Sequence, residues 1–398
     1  MKKPILFICL LVIAVTINAQ QTEVTPTILT EIENNLADFT GQSQDPVNLI
    51  SEMTKYNVPG LGLAVIHNNR ISIEKFYGTT KAGTDHLVTD NTLFEAASVT
   101  KMVTAILVMH FVEIGKIKLN DNINNYLKNW KLPESDFTAE SPITIDQVLT
   151  HRAGFNRPQG GFSFDTGKTG TLIDILNGKT PAQNQPLIIE TKPGIWNYSN
   201  FGYVVLQYLL EEISGKPFQI LAQDLIFNPL KMNNSQMGLP LNQEQLQNKA
   251  YSHSASGEQA PHGLQEVAFA HGGLVTTPSD MALLATELML SYTGRSNKIL
   301  TKGSTRQLID NKISLDPALL GGIEVGQGYG LMVKGNPDNI CFLMAGQNFP
   351  GATCIVVGFP GTGQGAVVMT NGENGEIVQI ELIARLGKVL KWPSSKVF

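Results

Sequence analysis

The segment EAASVTKMVTAILVMHFVEIGKIKL, residues 95–119, decides how this chain is read. From Met102 to Phe111 it is apolar on nearly every face, the pattern of a helix threaded through a core rather than laid on a surface. Ser98 stands at the expected N-cap, and a capping box would place Glu or Gln three residues later. The chain places Lys101 there instead. A cation in the first helical turn opposes the macrodipole by about 0.3–1 kcal/mol. Residues three apart share a helix face, so the hydroxyl and the amine are expected in one small volume. A serine hydroxyl becomes a useful nucleophile only when a neighbouring base takes its proton. A lysine sheltered by Met102 and Val103 loses part of its preference for the charged form, which lowers its pKa toward that task. A bare Ser-x-x-Lys also recurs by chance, as a cap beside a snorkelling lysine, so the rest of the chain must decide.

The chain has 398 residues, 42% hydrophobic and 16% charged, with 37 glycines, which fits one two-lobed domain or two small ones. Its formal net charge is -5 and it has no run of Lys or Arg. Nothing there suggests a nucleic-acid groove or a polybasic anchor, and small neutral or weakly charged partners fit better.

The N-terminus MKKPILFICLLVIAVTINAQQ has Lys2 and Lys3, an apolar run from Ile5 to Ile17, and Ala19 before Gln20, the layout of a cleaved secretory signal over residues 1–19. The apolar run is shorter than a spanning helix requires. An exported protein, periplasmic or extracellular and without a stable membrane anchor after cleavage, is expected. Cys9 would leave with the signal, so Cys341 and Cys354 would remain; sequence leaves open whether they come close enough to bridge.

Strand signals lie at both ends of the mature chain. Residues 61–80 form two apolar-rich runs around Asn68-Asn69, a hairpin signal. YGLMVKG (329–335), NICFLMAG (339–346), ATCIVVGF (352–359) and GAVVMTNG (365–372) are four short runs whose brief connections imply antiparallel pairing, followed by an amphipathic helix over about 376–390. Between the ends, 99–114, 146–149, 202–213 and 278–290 read as helices, the last with Ser279 and Asp280 near its start. The segment 155–186 reads as a surface loop able to border a cleft. The expected fold is α+β: an antiparallel sheet flanked by N- and C-terminal helices, with a largely helical inserted lobe. An N-terminal segment over 20–44 precedes a domain over 45–390, its sheet lobe formed by 45–97 and 291–390 and its helical lobe by 98–290.

With FEAASVTKMVTAILVMHFVEIGKIKLND in place, LTHRAG (149–154), PGIWNYSNFGYVVLQYLLEEISGK (193–216), NPLKM (228–232) and HGGLVTTPSDMALLA (271–285) follow in an order and spacing that resemble the serine β-lactamase-like superfamily. The nearest likeness is to its class C branch, with D,D-carboxypeptidases, D-aminopeptidases and related esterases, over roughly 45–390. The resemblance implies that Ser98 is the acylated nucleophile and Lys101 its partner on the helix. It further implies that Tyr198, in Tyr198-Ser199-Asn200, shares the proton relay, while Asn200 orients the lysine and the substrate. Whether Lys101 or Tyr198 is the base stays open, so the pair is assigned jointly. His151 matches a loop-stabilising family histidine and is read as structural.

The third family element departs from its pattern. Where the family has Lys-Thr-Gly or His-x-Gly, the chain has Met344-Ala345-Gly346, without the cation or imidazole. Gly346 still permits close backbone approach, and the N–H of Gln347 is expected to pair with that of Ser98 as an oxyanion hole. Met344, Gly346, Gln347 and Asn200 are thus the expected substrate-binding positions, and an uncharged ester or amide fits better than penicillin.

Other chemistries find no support. There is no Gly-x-Ser-x-Gly elbow, His-Glu-x-x-His or Cys-x-x-Cys pair. His253, His262 and His271 share a nine-residue spacing that does not place ligands on one helical face. GTGQG (361–365) leads into a strand-like run and reads as a hairpin turn. The sequence therefore predicts an exported serine hydrolase without cofactor or metal, acting on a small ester, amide or peptide. The alternative is a penicillin-receptor-like binding protein that acylates slowly or not at all.

Overall fold

A computed structural model describes residues 24–36, 46–139, 141–158, 162–165, 167–261, 267–310, 312–320, 324–336 and 339–393. The signal-like residues 1–19 and His262 lie outside them.

Asn68 and Asn69 both adopt the left-handed conformation, with φ of 52° and 57°, as a two-residue hairpin turn between twisted strands requires. They join strand Gly60–His67 to strand Arg70–Gly78. The C-terminal runs form strands Met332–Lys334, Cys341–Asn348, Ala352–Phe359 and Gln364–Thr370. Every named pairing in the resulting eight-stranded sheet is antiparallel. The N-terminal hairpin inserts beside the last strand, Leu63 opposite Val368, so the two ends of the chain share one sheet. The first three residues of GTGQG, with Pro360, form the turn between the strands that end at Phe359 and begin at Gln364.

The edge strand Arg70–Gly78 is largely exposed, while the central strands of the sheet are buried on both faces. On one, Leu61, Leu63, Leu343, Ile355 and Val368 pack with helices Pro26–Glu33, Leu49–Lys55 and Gly375–Val389. On the other, Phe342, Met344, Val356 and Met369 join the core of the helical lobe. This corrects two expected boundaries. Leu29 and Ile32, from the segment treated as preceding the domain, are buried in the first core. Helix Pro278–Thr293, assigned to the helical lobe, lies against four strands of the sheet, so the sheet lobe begins before residue 291.

Strand parity also settles the cysteines. Cys354 stands opposite Gly346 and faces the helical lobe, whereas Cys341 sits in the core beneath the terminal helices. Both thiols are free, and the sheet lies between them.

One loop reading needs amendment. Helix Leu172–Asn177 interrupts the expected loop; Thr171 and Asp174 close a capping box and Gly178 ends it in the left-handed region. Helix Pro278–Thr293 is capped by Thr277, with Ser279 and Asp280 in its first turn as expected.

Candidate active site

Helix Thr100–Glu113 is buried at every position from Thr100 to Met109. Its three polar residues there each have a partner in the segment 270–274 that runs alongside. Thr100 Oγ1 accepts from Leu274 N at 3.0 Å, Lys101 Nζ donates to His271 O at 2.7 Å, and Thr104 Oγ1 donates to Ala270 O at 2.7 Å. The same segment is held from its other side by Gln207, whose Oε1 accepts from Phe269 N and Ala270 N.

Ser98 is not the N-cap of this helix. It lies in a 3-10 turn, Ala97–Val99, entered through Ala97 at φ 48°. A non-glycine residue in that region costs roughly 1–2 kcal/mol, strain of a kind that concentrates at functional sites. The turn brings the hydroxyl to the lysine: Lys101 Nζ donates to Ser98 Oγ at 3.1 Å, and the lysine is 0% exposed. Burial pushes the Lys101 pKa below the ordinary 10.5, the nearby Tyr198 opposes this, and the positive charge of Arg157 lowers it further.

Tyr198 arrives from a hundred residues downstream, just before helix Asn200–Ser214, and its Oη donates to Ser98 Oγ at 3.0 Å. Ser199 caps that helix through Phe201 N. His151, at φ 57°, lies with its ring centroid 4.3 Å from that of Tyr198, and its Nδ1 accepts from Ser199 N at 3.3 Å. Burial pushes its pKa down to about 3, with a further push from Lys101, so the ring stays neutral and supports the tyrosine.

Asn200 departs from expectation. The acceptors of Lys101 are Ser98 Oγ and His271 O, and Asn200 Oδ1 is buried without a hydrogen-bond partner among the described residues. The backbone carbonyl of His271, not the asparagine, holds the lysine.

Strand Cys341–Asn348 runs beside the turn that carries Ser98. A Cβ placed on Gly346 would lie 2.6 Å from Ser98 N, 2.7 Å from Ala96 O and 2.9 Å from Val99 N, so only glycine allows this approach. Met344 is 5% exposed and belongs to the apolar core; it has no grip on a polar ligand. The Gln347 side chain turns aside to donate to Glu373 O at 2.9 Å.

Glu95, three residues before Ser98, was not singled out from sequence. It is buried, and its Oε2 accepts from Asn348 Nδ2 at 2.8 Å, tying the end of the strand to the segment Phe94–Glu95 that leads into the Ser98 turn, with Lys249 Nζ 3.9 Å from Oε1. Arg157 was also missed; its guanidinium carbon lies 5.7 Å from the Tyr198 ring centroid. An acid three residues before the Ser-x-x-Lys element was a signal for the first, and nothing local marked the second. His253 is engaged through both ring nitrogens near Ala82 and Asn371, while the ring of His271 packs on Phe162. Among the described residues no group of three or more His, Cys, Asp or Glu could hold a metal ion.

An antiparallel sheet edged by a helical lobe, with Ser, Lys and Tyr meeting where they join, defines the penicillin-recognising type of serine-hydrolase architecture. The chain belongs to the Beta-lactamase family, whose model matches residues 47–388. It is 28% identical over 187 residues to penicillin-binding protein 4 of Amycolatopsis lactamdurans, covering 47% of this chain and 46% of that protein. It is 30% identical over 194 residues to a putative D-alanyl-D-alanine carboxypeptidase of Salmonella typhimurium, covering 44% and 43%. The matches thus span less than half the length of these relatives. Its fold is similar to that of D-amino acid amidase from Ochrobactrum anthropi SV3, with TM-score 0.67, 22% identity, and coverage of 86% of this chain and 96% of that one. The octameric penicillin-binding protein homologue from Pyrococcus abyssi gives a TM-score of 0.65 at 22% identity, covering 85% and 76%.

Proposed function

We propose that the protein is an exported serine hydrolase that opens small esters or amides through an acyl-enzyme. The observation that carries this reading is the convergence of Lys101 Nζ and Tyr198 Oη on one hydroxyl oxygen, at 3.1 and 3.0 Å. Ser98 Oγ attacks the substrate carbonyl while its proton passes to the Lys101–Tyr198 pair. The oxyanion is taken by the backbone N–H groups of Ser98 and Gln347. The pair returns the proton to the departing oxygen or nitrogen, and water then attacks the ester so formed, releasing the acid and restoring Ser98. No step calls on a cofactor.

The relatives named as a D-amino acid amidase and a putative D-alanyl-D-alanine carboxypeptidase bring D-amino-acid amides and peptides within the reading alongside simple esters. Met344, apolar and buried, argues against efficient turnover of penicillins. Export rests on the signal-like residues 1–19; among the described residues no helix is long and apolar enough to cross a membrane.

The test is a fluorophosphonate probe read together with turnover of aryl esters and D-amino-acid amides. Labelling of the native protein with sustained product release is expected, and Ser98→Ala should lose both while keeping its circular dichroism spectrum and melting temperature. Labelling without release would favour the slow-acylating receptor instead. Normal hydrolysis by Ser98→Ala would remove the assignment.

A further inference from the structure

Arg157 is built onto the same loop system as Tyr198. Asn197 Nδ2 donates to Phe155 O at 2.9 Å, and Ser199 Oγ donates to Asn156 O at 2.6 Å. The residues flanking the tyrosine are thus hydrogen-bonded to the two residues that precede the arginine. This double tie fixes where Arg157 starts, and its guanidinium ends 5.7 Å from the centre of the Tyr198 ring. The side chain is exposed and has no carboxylate partner among the described residues. A nearby acid of this region, Glu190, accepts from Asn197 Nδ2 at 3.1 Å. On strand Cys341–Asn348 the position of the family cation is filled by buried Met344. A guanidinium without a carboxylate partner among the described residues therefore stands at the tyrosine side of the site, while the strand position of the family cation carries none.

Which part of a substrate meets it follows from the chemistry proposed for Ser98, on which this inference rests. The Lys101–Tyr198 pair must hand its proton to the leaving group, so the leaving group lies against Tyr198, where the arginine is. We infer that Arg157 is a specificity-determining residue that selects substrates carrying an anionic group, such as a carboxylate, on the leaving-group side of the scissile bond. A guanidinium suits this role because its planar fork presents paired donors to a carboxylate and keeps its charge at every working pH. The lack of a cation at Met344 then moves the anion site to the tyrosine side rather than abolishing it, which revises the expectation of an uncharged substrate.

The test compares meta-acetoxyphenylacetate with its methyl ester. Both carry the same acetyl group on phenols of nearly equal acidity and differ in the carboxylate. The ratio of their kcat/KM values is measured in the native enzyme, Arg157→Gln and Arg157→Lys, with circular dichroism confirming that each is folded. The native ratio should favour the carboxylate, fall about tenfold in Arg157→Gln, the size of one charge-assisted hydrogen bond, recover in part in Arg157→Lys, and shrink in molar salt. Any effect of the variant on Lys101 acts on both esters and cancels in the ratio. An unchanged ratio in Arg157→Gln overturns the inference. A second arm needs no turnover: calorimetric binding of meta-hydroxyphenylacetate to Ser98→Ala should weaken about tenfold when Arg157→Gln is added. If neither ester is hydrolysed the hydrolase reading fails, while this arm still decides Arg157; equal binding with and without the arginine overturns its role.

Discussion

At the scale of single residues, the arrangement turns on keeping Lys101 dry. Its amine has lost water entirely and has a serine hydroxyl and one backbone carbonyl as acceptors. Two neutral acceptors replace less than water supplied, so the charged form is disfavoured and the pKa falls. Where Lys101 is the member of the proposed pair that takes the Ser98 proton, the relay needs the neutral amine. Activity should therefore rise with pH along a limb whose midpoint lies below the ordinary lysine value of 10.5, because below that midpoint the amine is already protonated and cannot accept. Arg157 adds a repelling positive charge. Removing it in Arg157→Gln makes the cation less unfavourable and should move the limb to higher pH. A kcat/KM profile on a neutral ester reads this directly; a limb that stays in place or moves to lower pH contradicts the account.

At the scale of elements, the site is a joint between strand Cys341–Asn348 and the turn that carries Ser98. Gly346 lets the two backbones meet, and Glu95 holds Asn348 at the strand's end. The atoms that an added methyl would strike are all backbone, so no side-chain rotation relieves the clash. Gly346→Ala should push the strand off the turn, costing about 1–3 kcal/mol as overpacking does. Displacing the proposed oxyanion donor by even a fraction of an ångström should lower kcat/KM about a hundredfold. Melting temperature and ester hydrolysis measured together check both halves. A variant with native activity shows that the strand is not part of the site. Ala345→Ser, at an exposed position one residue earlier, serves as the control.

At the scale of the whole molecule, the core contains histidines that the fold keeps neutral. Burial, aided by the charge of Lys101, pushes both His151 and His271 from 6.5 to about 3. Between those values the unfolded chain binds protons that the folded chain refuses, so stability is complete above pH 6.5 and declines as pH falls toward 3. Each unit of difference corresponds to about 1.4 kcal/mol. Glu211 and Asp280, whose pKa values burial raises, work in the opposite sense at the acid end of this window. The net expectation is a urea midpoint that falls between pH 7 and pH 4, with a smaller fall in His271→Leu because one of the two groups is gone. Equal falls in the two proteins would take His271 out of the explanation.

Read from sequence, the chain already contained what short spacings encode. The one-turn separation of Ser98 and Lys101, the turn at Asn68-Asn69, the C-terminal strand runs and the apolar helix after Ser98 depend on backbone preferences within a few residues, and all of them form. Helix Leu172–Asn177 is local too, marked by Thr171 and Gly178, but it was hidden within polar, glycine-rich neighbours. Only tertiary structure decided which distant groups meet. The carbonyl of His271 reaches Lys101 because the segment 270–274 docks along a helix 170 residues earlier. The free cysteines follow from strand parity, which sends Cys341 and Cys354 to opposite faces. Arg157 reaches Tyr198 through two hydrogen bonds between loops about forty residues apart. Periodicity records how a segment folds on itself, whereas a site assembled from four segments is fixed by how their surfaces close on one another, and no short window of sequence contains both sides of such a contact.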